Sequence, residues 1–384
     1  MKKLTQLLLV SLVVTGALFT SCVKDEADNI EANIISATID GAKELLIVEP
    51  TIENNLISFR LIEEPTVTVT PGEGEATTEV SYLFAPTFVL SKGATISPEN
   101  GVERDFAEDQ KYIVTAEDGI TIKEYTVRFF VDEGVALNYS FDYSEIDEEG
   151  KFHELYELLP NGGKKYDWST GNIGYQLMFM FHPPLGEKDP AKYPTVHIDN
   201  GYEGKGVLLE TRTTGGLALA PLAAGSLFLG DFETTFPAIL STKFGQPYTY
   251  NTAPKAVKGW YKYQAGDEFV INAKEGSELE KDVWDAYAIL FEKSDEDNHL
   301  AGNHNFEDPR MVSVAKLDEA QRVETNEWTE FEIKFENVAG KSFNPNKEYM
   351  FTIVFSSSKE GAIYNGAVGS QLYIDEVEII LADE

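Results

Sequence analysis

The 384-residue chain has a single cysteine, Cys22. One thiol cannot form a disulfide within the chain, so stability must come from packed cores. Basic residues are also scarce: 31 Lys and Arg stand against 65 Asp and Glu, for a formal net charge of −34. The acids are spread along the chain rather than gathered in a tail, which describes a solvated acidic surface. Such a surface excludes nucleic acid, which needs a basic footprint. It also disfavours anionic membrane surfaces, suits neutral ligands and attracts divalent cations. Helical periodicity is scarce. No apolar run has the length of a membrane span: Leu7 to Phe19 is too short, and Gly and Pro interrupt GGLALAPLAAGSLFLGDF, which reads as buried loop or core strand. There is no G-x-S-x-G nucleophile elbow, no phosphate loop and no dinucleotide fingerprint.

The start of the chain has a charged pair, Lys2 and Lys3, then the apolar run, then small residues leading to Cys22. This is the layout of an export signal. It resembles the bacterial lipoprotein signal, with Phe19 and Thr20 departing mildly from the usual leucine and small residue. The resemblance implies a signal peptide at 1–21 and lipidation of Cys22, and several acyl chains anchor a protein stably in a bilayer. Lys24-Asp25-Glu26 resembles the lysine-plus-acids signal that directs lipoproteins to the outer face of the outer membrane. Residues 22–30 are expected to form a polar tether.

From residue 31 to 133 the chain reads as short strands separated by Gly, Pro, Asn and Asp turns. In YTVRFFV, Tyr125, Val127, Phe129 and Val131 fall on one face of a half-buried strand. This spacing predicts an immunoglobulin-like β-sandwich without the cysteine pair and tryptophan of antibody cores. LSKGATISPENGVERDFAEDQKYIVTAEDGITIKEYTVRF resembles the immunoglobulin-like domains at the N-terminus of bacterial surface lipoproteins, which implies a spacer. The linker lies near 131–139. Beyond it come all four tryptophans, and strands such as KAVKGWYKY, DAYAILFE and SQLYIDEVEIIL. Residues 135–384 are expected to form a larger jelly-roll (galactose-binding-like) β-sandwich, making the whole chain all-β.

In that region AGSLFLGDF, FGQP, GWYKY with a following AGD, and SSSKEGAIYNGAVGSQLYIDEVE occur in order. Together they resemble the putative carbohydrate metabolism domain family of bacterial surface lipoproteins over about residues 165–381. The resemblance implies a glycan-binding type of jelly roll, acting in glycan capture or processing beside glycan-uptake machinery. It does not specify a reaction.

Sugar rings have an apolar C–H face that stacks on flat aromatics, and a good contact is worth about 1 kcal/mol by analogy with aromatic pairs. KGWYKYQAGD puts Trp260 and Lys262 on one strand face and Tyr261 and Tyr263 on the other. Trp168, Trp284, Tyr175, Tyr202 and Tyr364 are the further platform candidates; core packing is the competing role for each. Trp328, at the head of WTEFEIKFE, reads as structural. In LYIDEVEII the alternation places Tyr373, Asp375, Val377 and Ile379 on one apolar face, where an ionised carboxylate is costly unless paired. Last strands of similar jelly-roll modules put an aspartate on a structural calcium. That resemblance implies Asp375 as a ligand with Asp142 from the first strand, against a turn hydrogen bond as the alternative. No other cofactor is implied. Asp295, Asp297, His299, His304 and Asp308 match no calcium or zinc spacing and read as a solvated hairpin.

Catalysis has little support in the sequence. A glycosidase needs two carboxylates at about 5–5.5 or 6.5–9.5 Å, and a sequence with 65 acids nominates no pair. Carbohydrate binding is therefore the leading expectation. The alternatives are a glycoside hydrolase or lyase, marked by a carboxylate cleft, and an adhesion or structural subunit, marked by a sticky face.

Overall fold

A computed structural model describes residues 29–382, apart from 40, 47–48, 54, 63, 70–76, 132–133, 160–162, 180–188, 216–219, 273–275 and 295–296. The expectations for the signal peptide, for Cys22 and for most of the tether lie outside the described residues, as does Asp295. The chain divides into two compact units, with the main break between Phe129 and Phe130.

The first unit is the immunoglobulin-like sandwich. Its larger sheet has five strands, in the order Thr51–Glu53, Leu56–Leu61, Ile122–Val131, Gln110–Thr115 and Thr95–Ser97, and Ile34–Ile39 pairs separately with Pro86–Leu90. Tyr125, Val127 and Phe129 are buried on one face, as the alternation requires. Phenylalanines fill the centre that other such domains give to a disulfide: Phe129 stacks on Phe59 at 4.2 Å and on Phe84 at 4.3 Å.

The second unit is the jelly roll. Nine strands define it: β1 Thr195–Ile198, β2 Gly206–Glu210, β3 Ser226–Phe232, β4 Pro254–Gln264, β5 Asp285–Glu292, β6 Met311–Lys316, β7 Thr325–Asn337, β8 Tyr349–Ser356 and β9 Gln371–Leu381. A front sheet runs β1-β2-β9-β4-β7 and a back sheet runs β6-β5-β8-β3. The far end of β7 pairs with β6, through Ala315 opposite Phe335, so one hydrogen-bonded path curls from front to back. Alternate residues of both sheets meet between the layers: Tyr261, Tyr263, Phe331 and Ile374 from the front, and Ala286, Ala288, Phe351 and Phe355 from the back. Alanines on β5 leave room for Trp284, which is 0% exposed and lies against Tyr261 at a ring distance of 4.4 Å. The back sheet is also covered on its outer side, where Phe228, Ile289, Phe291 and Met350 pack with Phe244 and Leu300.

One strand breaks its own alternation. The core receives Leu372 and Ile374 of β9, then Val377 and Ile379. Glu376 between them takes a left-handed φ of 47°, and the register with β4 slips between Lys258 and Trp260. This is a β-bulge, and it re-aims the side chains around it. The expectation that Tyr373, Asp375, Val377 and Ile379 share one apolar face is therefore corrected: Tyr373 is half-buried on the outer side, and Asp375 is buried beneath a turn. Its Oδ2 accepts the N–H groups of Tyr202 (2.6 Å) and Glu203 (3.0 Å), while Oδ1 is buried without a hydrogen-bond partner. A Cβ on Gly201 would lie 2.4 Å from the same oxygen, so only glycine lets the turn close on the carboxylate.

Two predictions concern stability. Trp284→Ala should cost about 3–5 kcal/mol in a denaturant titration, as large aromatic deletions in closed cores do. The second concerns pH. Burial pushes the Asp375 carboxyl up to about 7 despite the backbone hydrogen bonds that favour its charged form. Between about pH 4 and this value the folded chain holds a proton that the unfolded chain has released. The contribution of Asp375 is then complete at low pH and lost as the pH rises through 7. Asp375→Asn keeps an acceptor but cannot ionise. Its stability relative to wild type should climb between pH 4 and 8, by an amount of the order of a few kcal/mol; a flat difference would count against the buried, proton-holding carboxyl.

Candidate functional site

The outer face of the front sheet carries aromatic rings. On β4 the alternation buries Tyr261 and Tyr263 and leaves Trp260 and Lys262 outside, as expected. On β7 Phe331 and Ile333 go inward, so Trp328 shares the outer side with Glu330 and Glu332. Tyr373 follows on β9. The turn held by Asp375 lays Tyr202 onto this face. Its ring stacks on Trp260 at 3.8 Å with 7° between planes, and Trp328 meets it edge-on at 6.4 Å. Lys262 Nζ sits 4.6 Å from the ring centres of both Trp328 and Tyr373. Tyr202 is 45% exposed, and Trp260, Trp328 and Tyr373 are half-buried.

Beside these rings is a cavity of about 340 Å³ lined by Tyr202, Trp260 and four carboxylates, those of Glu203, Glu330, Glu376 and Glu378. Lys258 also lines it and pairs with Glu378 at 2.7 Å. Burial raises the Glu376 carboxyl above the usual range, and the charges of Glu203 and Asp142 add to the shift. The chemistry available is stacking on a flat aromatic surface next to acceptors for hydroxyl groups, in a field that repels anions.

The structure separates the sequence candidates. Trp260 and Tyr202 come together. Trp168 and Trp284 do not join them: Trp168 packs against Tyr139 at 5.0 Å and Phe141 at 5.4 Å, Trp284 lies at the centre of the core, and neither offers a free ring face. Their candidacy as platforms is corrected on that ground. Tyr175 is also buried, its hydroxyl donating to the Thr213 carbonyl at 3.0 Å; with Tyr364 it lines a different cavity, against the back sheet. Trp328, read as structural, is half-buried on the same outer face as Trp260. Its signal was present in the sequence: it falls in step with Glu330, Glu332 and Lys334, the polar set of its strand.

Asp142 and Asp375 do meet at one turn. Asp142 Oδ1 accepts the Lys205 N–H at 2.9 Å, four residues from the glycine that faces Asp375. Calcium takes six to eight oxygens, whereas each of these carboxylates already receives backbone N–H donors on one oxygen. Among the described residues no group of three His, Cys, Asp or Glu could hold a metal. A calcium ion there would have to draw most of its oxygens from backbone carbonyls; in this structure the pair holds the turn. In the 293–309 loop, Asp308 pairs with Arg310 at 2.9 Å, and His304 Nδ1 accepts the Phe306 N–H at 2.9 Å. His304 is not solvated as expected but half-buried among Phe244, Tyr287 and Phe306.

Comparisons with known proteins agree with this architecture. The family described as "putative carbohydrate metabolism domain" matches residues 140–380, and the one described as "SGBP, N-terminal" matches 60–129. A structure described as a putative glycoside hydrolase from Bacteroides thetaiotaomicron is 36% identical, with a TM-score of 0.59, over 94% of this chain and 100% of its own. A second, described as a putative glycoside hydrolase from Bacteroides vulgatus, is 33% identical, with a TM-score of 0.56, over 65% of this chain and 100% of its own. No curated protein matches the chain. With its model matched over more than half of the residues, the family is established: the chain belongs to the putative carbohydrate metabolism domain family.

Proposed function

We propose that the chain is a lipid-anchored protein of the outer bacterial surface that captures neutral glycans. The Tyr202–Trp260–Trp328 group is its contact surface. The observation that carries this reading is the face-to-face stack of Tyr202 on Trp260 on the solvent side of a sheet, beside carboxylates that accept hydroxyl donors. The acidic surface favours uncharged polysaccharides over uronate or sulfated ones. The match of the first unit to the SGBP N-terminal family supports surface display, with Cys22 as the anchor and glycan-uptake machinery as the neighbouring partner.

A second reading has its own observation. Glu376, with a raised carboxyl, shares the 340 Å³ cavity with Glu203 and Glu330, and a glycosidase needs a protonated acid near a second carboxylate. In that reading Glu376 is the general acid.

The test uses the Cys22→Ser chain on an array of neutral and acidic polysaccharides, with product analysis after long incubation. Trp260→Ala and Tyr202→Ala should each weaken neutral-glycan binding about 5- to 10-fold, the value of roughly one aromatic contact, with the melting temperature little changed. Full affinity in both variants would remove the shelf from the site. Released oligosaccharides, lost in Glu376→Gln, would move the protein to the hydrolases. Silence on every glycan would favour adhesion or a structural role.

A further inference from the structure

The cavity that holds Tyr175 and Tyr364 lies on the outer side of the back sheet and has no residue in common with the aromatic shelf. Its volume is about 330 Å³, at the small end of the roughly 300–1,000 Å³ range of ligand pockets. Phe228 of β3, Tyr287 of β5 and Val354 of β8 form its floor, because these residues alternate with the inward set of each strand. Leu222, Ala224 and Ala362 are among its walls. Small residues keep it open: a Cβ on Gly174 would come within 2.9 Å of the Phe232 ring, and one on Gly361 within 2.5 Å of Ala224.

The polar groups are hydroxyls and one charged end. Ser356 donates to the Ser358 carbonyl at 2.8 Å, Ser358 to Asp282 at 2.6 Å and Thr214 to the Ala220 carbonyl; Thr234, Thr235 and Thr242 also line the cavity. At one end Asp285 receives the Arg322 Nη2 at 2.6 Å, Arg322 Nη1 reaches Glu319 at 2.8 Å, and Lys359 Nζ pairs with the same Glu319 at 3.0 Å. Two acids thus meet two bases, so a ligand there needs no charge. Among the described lining residues Asp285 is the only carboxylate, and its partner fixes it as an acceptor. A two-carboxylate hydrolysis has no second member here.

This geometry restricts the ligand. A fully hydroxylated hexose has apolar faces but a rim of hydroxyls all round. Apolar floor and apolar walls together would strip water from hydroxyls that then find no partner, which disfavours binding for each one buried. A ring bearing a methyl or acetyl group would instead place that group among Phe228, Leu222 and Val354 and direct its hydroxyls to Asp285 and to lining hydroxyls such as those of Thr234, Thr235 and Thr242. We propose that this cleft is a second saccharide site, selective for a terminal sugar residue with an apolar substituent: a 6-deoxyhexose or an N-acetylhexosamine. The inference rests on the reading of the chain as a glycan-binding protein but uses a different surface.

The experiment is ligand-observed NMR and calorimetry on the Cys22→Ser chain with methyl fucoside, methyl rhamnoside, N-acetylglucosamine and methyl glucoside. Ala362→Trp fills the cleft from an exposed position, and Tyr364→Ala is the second variant should the first fold poorly. At least one deoxy or N-acetyl sugar should bind 10-fold or more tightly than methyl glucoside. Ala362→Trp or Tyr364→Ala should weaken it by at least that factor, and Trp260→Ala should leave it unchanged. Equal binding of methyl glucoside, loss in Trp260→Ala alone, or no binding of any of the four sugars would overturn the inference. Polysaccharide capture that still depends on Trp260 would then leave the shelf reading standing. Sugar binding that depends on Ala362 or Tyr364 alone would support the cleft even if the shelf failed.

Discussion

The shelf depends on one buried carboxylate. Asp375 sits on the central strand of the front sheet, and its charged form is costly there. The fold offsets part of that cost with two backbone N–H groups, and in accepting them Asp375 fixes the conformation of the 201–205 turn. Tyr202 rides on that turn. Its stack on Trp260 follows from where the backbone is held rather than from any affinity between two exposed rings. The β-bulge at Glu376 is the other half of the device. With an unbroken alternation, Val377 and Ile379 would lie on the same side as Asp375, and the strand would lose its core face. The extra residue returns them to the interior and leaves the carboxylate outside, under the turn.

The back sheet is built on a different principle. β5 reads DAYAILFE, with small apolar residues inward and Tyr287, Ile289 and Phe291 outward. Both faces are therefore apolar, and the outer one is covered by the short strands Thr242–Phe244 and Leu300–Ala301, which form a ribbon with β3. The cover is incomplete. Where glycines and alanines replace larger side chains, a cavity is left rather than a packed layer, and charged residues appear only at its end. A sheet buried on one face alone could not form such a cleft.

The fold class was largely legible in the sequence, because alternation and turn residues are local signals. The same is true of the outward direction of Trp260 and Lys262, since β4 keeps a period of two from Gly259 to Gln264. Legibility ended at the bulge. A single residue in the left-handed region inverts every later assignment on a strand, and nothing in LYIDEVEII marks Glu376 as that residue. Trp168 and Trp284 were misplaced for a different reason. An aromatic near glycines looks the same in one dimension whether the sheet over it is open or closed, and here the core closes over both. Trp328 could have been placed correctly from its step with Glu330 and Glu332, but an aromatic at a strand start suggested packing. Asp142 and Asp375, 233 positions apart, lie at one turn; the N–H donors that they accept come from residues 202–205, which the sequence does not show as their neighbours.

What the shelf can hold follows from its energetics. Individual aromatic contacts are worth about 1 kcal/mol, and three or four of them on an open face give weak binding of any single short sugar. Weak binding suits capture of a polymer. A long glycan presents many equivalent rings, and a surface carrying many copies anchored as proposed would convert each later contact into an intramolecular one, raising avidity above single-site affinity by orders of magnitude. A cleft of about 330 Å³ holding the terminal sugar proposed above would work by the opposite logic: it would desolvate that one ring and discriminate by shape. With the proposed shelf on one sheet and the proposed cleft on the other, retention of a polymer would combine with recognition of its terminus, provided the two surfaces act without competing for the same ring. Their linings share no residue, which is the condition that independent action requires.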